Sequence, residues 1–88
     1  MKKYIITYFL RSNSENYIPF YEAIKVNFPE YRHIMEPVWI VKTDKSAKEI
    51  MGAIHPKLKQ GDAIFVTEMG GDYEGMIAKS MWDFIKSD

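Results

Sequence analysis

The spacing of apolar residues changes several times along the chain, and each change marks a predicted boundary between elements. Residues 4–10 form a nearly continuous run of β-forming side chains, which is typical of a strand in the middle of a sheet. Apolar residues from Phe20 to Phe28 then recur at helical spacing. Asn16 can cap this helix and Pro29 stops it. The first third of the chain therefore predicts a strand followed by a helix.

The segment 31–43 returns to an extended pattern that Glu36-Pro37 interrupts. Proline cannot donate a hydrogen bond to a sheet ladder. The segment is therefore either one long, kinked edge strand or two short strands joined as a hairpin.

The run Val38-Trp39-Ile40-Val41 leads directly into the start of a second helix. Ser46, with Glu49 three residues later, is the capping-box pattern that satisfies free amide groups at a helix N-terminus. The pattern predicts a helix over residues 47–59, with a bend at Pro56.

The last part of the chain predicts a buried strand and a final helix. Residues 63–67 are apolar and β-branched, and Gly70-Gly71-Asp72 ends that segment. Residues 73–86 then carry apolar side chains at helical spacing: Met76 or Ile77, Met81, Phe84 and Ile85. A C-terminal helix is the expected structure of this tail.

The predicted order corresponds to an α+β fold, the ferredoxin-like βαββαβ sandwich with an extra C-terminal helix. We expect one domain over residues 1–88, with a core at about 3–70 and a helical tail at about 72–87. Two helices cover one face of such a sheet. The tail or a second copy of the chain must cover the other face, which is the argument for a homodimer.

Composition excludes several classes of function. Twelve basic and twelve acidic residues cancel, so any contact with nucleic acid must be local. The chain has no cysteine, which removes disulfides, thiolate zinc sites and cysteine nucleophiles and fits a cytoplasmic location. The apolar run after Lys2-Lys3 is too short for a membrane span and is better interpreted as a strand than as a secretion signal. No membrane partner is expected.

Several polar residues are candidates for chemistry, although each has a structural explanation. His33 and His55 lie on different predicted elements, where local hydrogen bonding is the simpler role. Gly70-Gly71-Asp72 lacks the Lys-Ser/Thr of a phosphate-binding loop. Four acidic residues near the last strand could gather a divalent ion, but turn formation explains them equally well: Asp62, Glu68, Asp72 and Glu74.

Basic residues offer a more specific hypothesis. If the loop after the first strand and the strand-to-helix junction share an edge, a local positive patch forms there. Its members are Arg11, Arg32, Lys42, Lys45 and Lys48. Tyr8 or Trp39 could add a ring that stacks on a base.

Residues 39–47, with Glu49-Ile50 and Leu58 after them, resemble a group of short bacterial proteins described as SinR-like. The helical motif Glu22-Ala23-Ile24-Lys25 also has a counterpart in that group, and the resemblance covers roughly residues 3–70. The group is similar in fold to the CRISPR-associated adaptation dimer subunit and to VapD-type ribonuclease toxins. The resemblance implies a ferredoxin-like fold, a homodimer and a metal-dependent nuclease ancestry.

One departure from that group affects the expected activity. The nuclease-type relatives end their first strand with an aromatic residue and an aspartate that binds metal, whereas this chain has Tyr8-Phe9. Phenylalanine supplies no oxygen ligand for Mg²⁺. We therefore expect a protein that is not an enzyme and needs no cofactor.

The expected function is a homodimeric binding protein for nucleic acid or a nucleotide. Its predicted ligand-binding residues are Tyr8, Arg11, Arg32, Trp39, Lys42 and Lys45. One alternative is an Mg²⁺-dependent endoribonuclease in which Glu36 or Glu68 replaces the lost carboxylate. Another is an interaction module that blocks a host or defence protein through its methionine-rich tail.

Overall fold

The structure of the protein, a computed structural model, describes residues 1–11 and 17–87. These residues form an α+β fold with four strands and three α-helices. The elements are β1 (Lys2–Phe9), α1 (Tyr17–Asn27), β2 (Tyr31–Met35), β3 (Val38–Thr43), α2 (Ala47–Ile54), β4 (Ala63–Glu68) and α3 (Lys79–Lys86). The predicted capping residue Asn16 lies outside the described residues. None of the described helices has the length and apolar character needed to cross a membrane.

The four strands form one antiparallel sheet in the order β2-β3-β1-β4. Ile6 in β1 lies opposite Trp39 in β3 on one side and Val66 in β4 on the other. Successive side chains of a strand point to opposite faces. Ile6, Trp39 and Val66 therefore share the face that carries the main core, while Ile5 and Ile40 point to the other face.

The extended segment around Glu36-Pro37 is a hairpin, which is one of the two structures that its pattern allows. β2 and β3 pair antiparallel on either side of this turn, with a register shift between His33 and Met35. The Glu36–Pro37 peptide bond is cis.

Helices α1 and α2 cover the first face of the sheet and enclose the main core. Phe20 and Ile24 of α1 and Ile50 and Ile54 of α2 are fully buried against Trp39. Burying a large aliphatic or aromatic side chain contributes about 1.5–3 kcal/mol, so this cluster accounts for much of the stability of the fold.

Helix α3 covers part of the second face. Phe84 and Ile85 are buried against Ile40, with Ile5 and Ile34 packed around them. The tail thus packs on its own sheet. It leaves the β1–β4 end of this face open, where Phe9 is 64% exposed and Phe65 is 66% exposed.

Two sequence predictions about the C-terminal third are wrong. β4 was expected to be a buried strand, but it lies at the sheet edge, and Phe65 and Thr67 are exposed because α3 does not reach them. The tail helix was expected from residue 73, but it begins at Lys79. Gly75 explains the late start in part, because glycine costs about 1 kcal/mol relative to alanine inside a helix.

The three methionines near the tail differ in exposure. Met76 is exposed, whereas Met69 and Met81 are half-buried, and Met69 packs against the α3 cluster. Only one of these three side chains is therefore fully offered to a partner.

The start of α2 confirms the predicted capping box. Ser46 Oγ accepts a hydrogen bond from the Glu49 amide at 3.1 Å, and the Ser46 amide donates to Glu49 Oε1 at 2.9 Å. The bond from the Ser46 backbone is the main reason that the pKa of Glu49 is lowered. The helix is shorter than predicted, since it ends at Ile54 and continues as a 3₁₀ turn over His55–Lys57 around Pro56.

Replacing the cap is expected to weaken the whole domain. Ser46→Ala removes the acceptor for the Glu49 amide and should lower the free energy of unfolding by about 1 kcal/mol. Urea denaturation measures this free energy. Ser46→Asp keeps an acceptor and should remain within a few tenths of a kcal/mol of the original protein. Equal stability of the two variants would contradict a stabilising role for the capping box.

Candidate functional site

Two cations meet over one aromatic ring at the C-terminal end of α3. The Arg32 Cζ atom and the Lys42 Nζ atom each lie 4.4 Å from the centre of the Phe84 ring. Arg32 in β2 pairs with Ile40, and Lys42 is two residues further along β3, so both side chains emerge on the face that carries α3. The structure thus brings together two of the six predicted ligand-binding residues.

Lys42 is only 4% exposed, yet its ammonium group is well satisfied. Its Nζ atom donates to the Ser87 carbonyl oxygen at 3.0 Å and to Ser87 Oγ at 2.6 Å. These acceptors follow the last turn of α3, where the helix dipole favours a positive charge. An ammonium group has three donors, so Lys42 retains one N–H for another acceptor.

Neither Arg32 nor Lys42 forms a salt bridge within the described part of the chain. The exposed Arg32 guanidinium donates to the Tyr31 carbonyl oxygen at 2.7 Å, which uses one of its five N–H groups. Both side chains line a cavity of about 580 Å³. Its lining consists of Pro29, Glu30, Arg32, Lys42, Ser80, Asp83, Phe84 and Ser87.

The chemistry of this cavity favours an anion that accepts several hydrogen bonds. Arg32 offers a fork of donors suited to a phosphate or carboxylate, and Lys42 offers a point charge. Glu30 and Asp83 also line the cavity. The ligand must therefore reach the two cations while keeping its charge away from these carboxylates, which requires a specific orientation.

The other predicted cations lie elsewhere. Lys42 pairs with Lys3 near the start of β1, whereas Arg11 follows the end of β1 and its amide donates to Asp62 Oδ1 at 2.8 Å. The Arg11 side chain packs over Gly61, where a Cβ atom would come within 2.8 Å of Arg11 Cδ. Lys45 lies in the loop before α2, with its Nζ atom 6.0 Å from the centre of the Phe28 ring. Arg11 is therefore separate from Arg32 and Lys42, whereas Lys45 and Lys42 line an adjacent cavity together.

Tyr8 and Trp39 do not offer a stacking surface, which corrects the role expected of their rings. They are 5% and 1% exposed because both point toward α1 and α2. Trp39 Nε1 donates to Tyr8 Oη at 3.0 Å, and the Trp39 ring stacks on His33 with centroids 4.2 Å apart. Both aromatic residues belong to the core.

Sequence reasoning missed a polar cluster that surrounds Glu36. Tyr8 Oη donates to Glu36 Oε1 at 2.7 Å, and Tyr21 Oη donates to Glu36 Oε2. His33 Nε2 is buried and lies 3.7 Å from Glu36 Oε2. The only signal in the sequence was a carboxylate at a proline turn, and the two tyrosine partners come from distant segments.

Burial and these hydrogen bonds change the acidity of both hydroxyls. Burial is the main reason that the pKa of Tyr8 is raised, and its bond to Glu36 adds to the effect. The same two causes raise the pKa of Tyr21 to about 12. The Glu36 carboxylate thus attaches the β2–β3 turn to α1 through its bond with Tyr21.

The acidic residues near β4 do not gather into a metal site. Asp62 accepts the backbone amides of Arg11 and Lys59 at 2.8 Å each, which confirms turn formation as its role. Glu68 is exposed at the end of β4. Among residues 1–11 and 17–87, no three histidine or acidic side chains are placed to hold a metal ion together.

The chain matches no protein-family model, no curated protein and no solved structure. The SinR-like, CRISPR-adaptation and VapD-type resemblance therefore stays a prediction from the sequence motif alone.

The pKa of Tyr21, raised by burial and by its bond to Glu36, predicts a specific response to alkaline pH. Because the pKa of Tyr21 in the folded protein is about 12 and the unfolded value is about 10, the stabilisation is complete below about pH 10 and disappears toward about pH 12. The stability difference between the original protein and Tyr21→Phe should therefore shrink over this interval in urea titrations.

Tyr31→Phe is the matched control, because the Tyr31 hydroxyl makes no hydrogen bond within the described chain. A Tyr21→Phe difference that changes with pH no more than the Tyr31→Phe difference would contradict the raised pKa of Tyr21.

Proposed function

We propose that the protein is a non-catalytic, homodimeric binding protein of ferredoxin-like fold, whose ligand is a nucleic acid or a nucleotide. One observation carries the proposal: Arg32 and Lys42 converge on Phe84 at an open cavity without a salt-bridge partner among the described residues. A phosphate group supplies the missing negative charge and the hydrogen-bond acceptors.

The ferredoxin-like part of the proposal is supported by how two β-α-β units, β1-α1-β2 and β3-α2-β4, interleave in the sheet. β3 lies between β1 and β2, and β1 lies between β3 and β4. Each unit thus leaves a gap that a strand of the other unit fills, and both connecting helices pack on one face. Helix α3 is the additional C-terminal element.

The electrostatic argument limits how such a ligand binds. The net formal charge is zero, so no general field draws nucleic acid to the surface. Affinity comes from a small number of local contacts, chiefly the Arg32 guanidinium and the remaining Lys42 N–H. Two phosphate contacts give a weak salt dependence, with a slope of about −1.4 for single strands. A cytoplasmic location is part of the same proposal.

The homodimer part of the proposal is supported by the contrast between the two sheet edges. The β2 edge carries Arg32 and an irregular register, and both features discourage strand pairing. The β4 edge is regular and carries no charge before Glu68. Phe9 and Phe65 are exposed on the adjacent open face. A second copy that covers β4 and these rings removes a surface that otherwise favours aggregation.

The non-catalytic part of the proposal is supported by the side chains that stand in place of a nuclease site. Phe9 carries no ligand atom, and both oxygens of Glu36 already accept tyrosine hydroxyls. Glu68 is the remaining carboxylate suggested by the sequence. RNA cleavage that requires Mg²⁺ and disappears in Glu68→Ala would overturn this part of the proposal.

Substitution of the exposed cation tests the proposed ligand site. Arg32→Gln should weaken binding of a labelled single-stranded oligonucleotide about tenfold at low salt, as expected for one charge-assisted hydrogen bond. The slope of the plot of log affinity against log salt should also become shallower by about 0.7, the value for one phosphate contact on a single strand. Fluorescence anisotropy measures both quantities.

Arg11→Gln is the control, because it removes the same charge at the opposite end of β1. It should leave the affinity and the salt dependence unchanged. Two results would contradict the proposed site: equal weakening in the two variants, or no binding of RNA, DNA or nucleotides by the original protein.

The oligomeric state tests the proposed interface. Light scattering at micromolar concentration should give twice the 10.3 kDa mass of the chain. Phe65→Glu places a charge in the open apolar face and should yield a monomer. Val26→Glu changes another exposed apolar residue, on α1, and should remain dimeric. A monomeric original protein would exclude the homodimer.

A further inference from the structure

A second cavity opens on the other flank of α3, where two aromatic rings lie nearly parallel. Tyr73 precedes the helix and is exposed, and Trp82 is half-buried within it. Their ring planes are within 17° of parallel and their centroids lie 6.4 Å apart. The cavity has a volume of about 440 Å³ and is lined by Gly71, Asp72, Tyr73, Glu74, Trp82 and Lys86.

The separation of the two rings leaves aromatic surface available. Carbon atoms of rings in direct face-to-face contact lie about 3.5–4.0 Å apart. At 6.4 Å between centroids, Tyr73 and Trp82 do not overlap in this way, although their planes are almost aligned. Segment 71–75 lies alongside Trp82, since a Cβ atom on Gly75 would be 3.8 Å from Trp82 Cζ2. Neither ring therefore covers the other, and both line the cavity.

The polar groups of the cavity specify what kind of flat ligand fits. Asp72 and Glu74 present carboxylates, which only accept hydrogen bonds at neutral pH. Glu74 Oε1 accepts the Gly75 amide at 3.1 Å, and Glu74 Oε2 makes no bond within the described chain. Lys86 Nζ lies over the Trp82 ring, 5.4 Å from its centre. The site combines stacking surface, acceptors and one cation.

We propose that this cavity is a nucleobase site and that it takes the guanine ring of a guanine nucleotide. The ring stacks on Tyr73 and Trp82, its adjacent N–H donors meet the carboxylates of Asp72 or Glu74, and the attached phosphate meets Lys86. Guanine presents a ring N–H beside an exocyclic amine, so it matches a two-oxygen acceptor better than uracil, which has only one N–H.

This inference rests on the proposed function, because it takes the ligand to be a nucleotide or a nucleic-acid strand. It uses different residues, however. Trp82 and Lys86 lie on one flank of α3, whereas Ser80, Asp83 and Ser87 line the Arg32–Lys42 cavity on the other flank. The two sites can therefore be tested separately in the intact chain.

Tryptophan fluorescence of the full chain, titrated with guanosine 5′-monophosphate, provides the test. Saturable quenching is expected, and Trp82→Phe should abolish it, since Trp39 is buried in the other core.

Uridine 5′-monophosphate should bind at least tenfold more weakly, and Glu74→Gln combined with Asp72→Asn should remove this preference. Guanosine without phosphate should bind more weakly than the monophosphate, and Lys86→Gln should erase that difference.

Tyr73→Leu should weaken guanosine 5′-monophosphate binding at least fivefold, while Tyr73→Phe retains the ring and should leave it unchanged. Circular dichroism verifies that each variant is folded. Absence of saturable quenching, or equal affinity for the two monophosphates, would overturn the nucleobase site. Arg32→Gln should not alter this titration. If guanosine 5′-monophosphate does not bind but Arg32→Gln still weakens oligonucleotide binding, the nucleobase site alone is refuted. If guanosine 5′-monophosphate binds but Arg32→Gln has no effect on oligonucleotide binding, the Arg32–Lys42 site alone is refuted.

Discussion

Strand β3 is buried on both faces of the sheet, and the rest of the structure depends on this constraint. Trp39 and Ile40 are neighbours that point to opposite faces of the sheet, and both are buried. A strand of this kind needs a layer on each side. Helices α1 and α2 supply one layer above Trp39, and α3 supplies the other by placing Phe84 and Ile85 on Ile40. The third helix is therefore an integral layer of the fold.

The same strand explains why a buried cation lies at the candidate site. Lys42 follows Ile40 by two residues, so its side chain also lies beneath α3. A buried ammonium group is costly unless hydrogen bonds replace the lost water. The carbonyl and hydroxyl of Ser87 replace that water, and the Phe84 ring adds a cation–π contact. None of these groups neutralises the charge, so the contact that secures the end of α3 also leaves a cation for a ligand.

The sequence predicts local elements better than the positions that depend on tertiary packing. The capping box at Ser46 follows from neighbouring residues, and the structure has it. Neighbouring residues also locate the interruption at Glu36-Pro37, where the structure has the hairpin and not the kinked strand. The exposed edge position of β4 depends on strand order, which its own apolar composition does not reveal. Tyr8 and Trp39 were expected to stack on a base, since the sequence alone does not show which aromatic rings are buried. In the core, the Trp39 indole N–H donates to the Tyr8 hydroxyl, which donates to Glu36.

The contact between Lys42 and Phe84 is the central claim, and NMR spectroscopy of the side chains tests it directly. The ε-methylene protons of Lys42 should resonate clearly upfield of those of the other lysines, because the ammonium group lies 4.4 Å from the centre of the Phe84 ring. Phe84→Leu should keep an apolar side chain at this position and remove the upfield shift. Lys42 protons at the position of a solvated lysine in the original protein would contradict both the attachment of α3 and the ligand site that it forms.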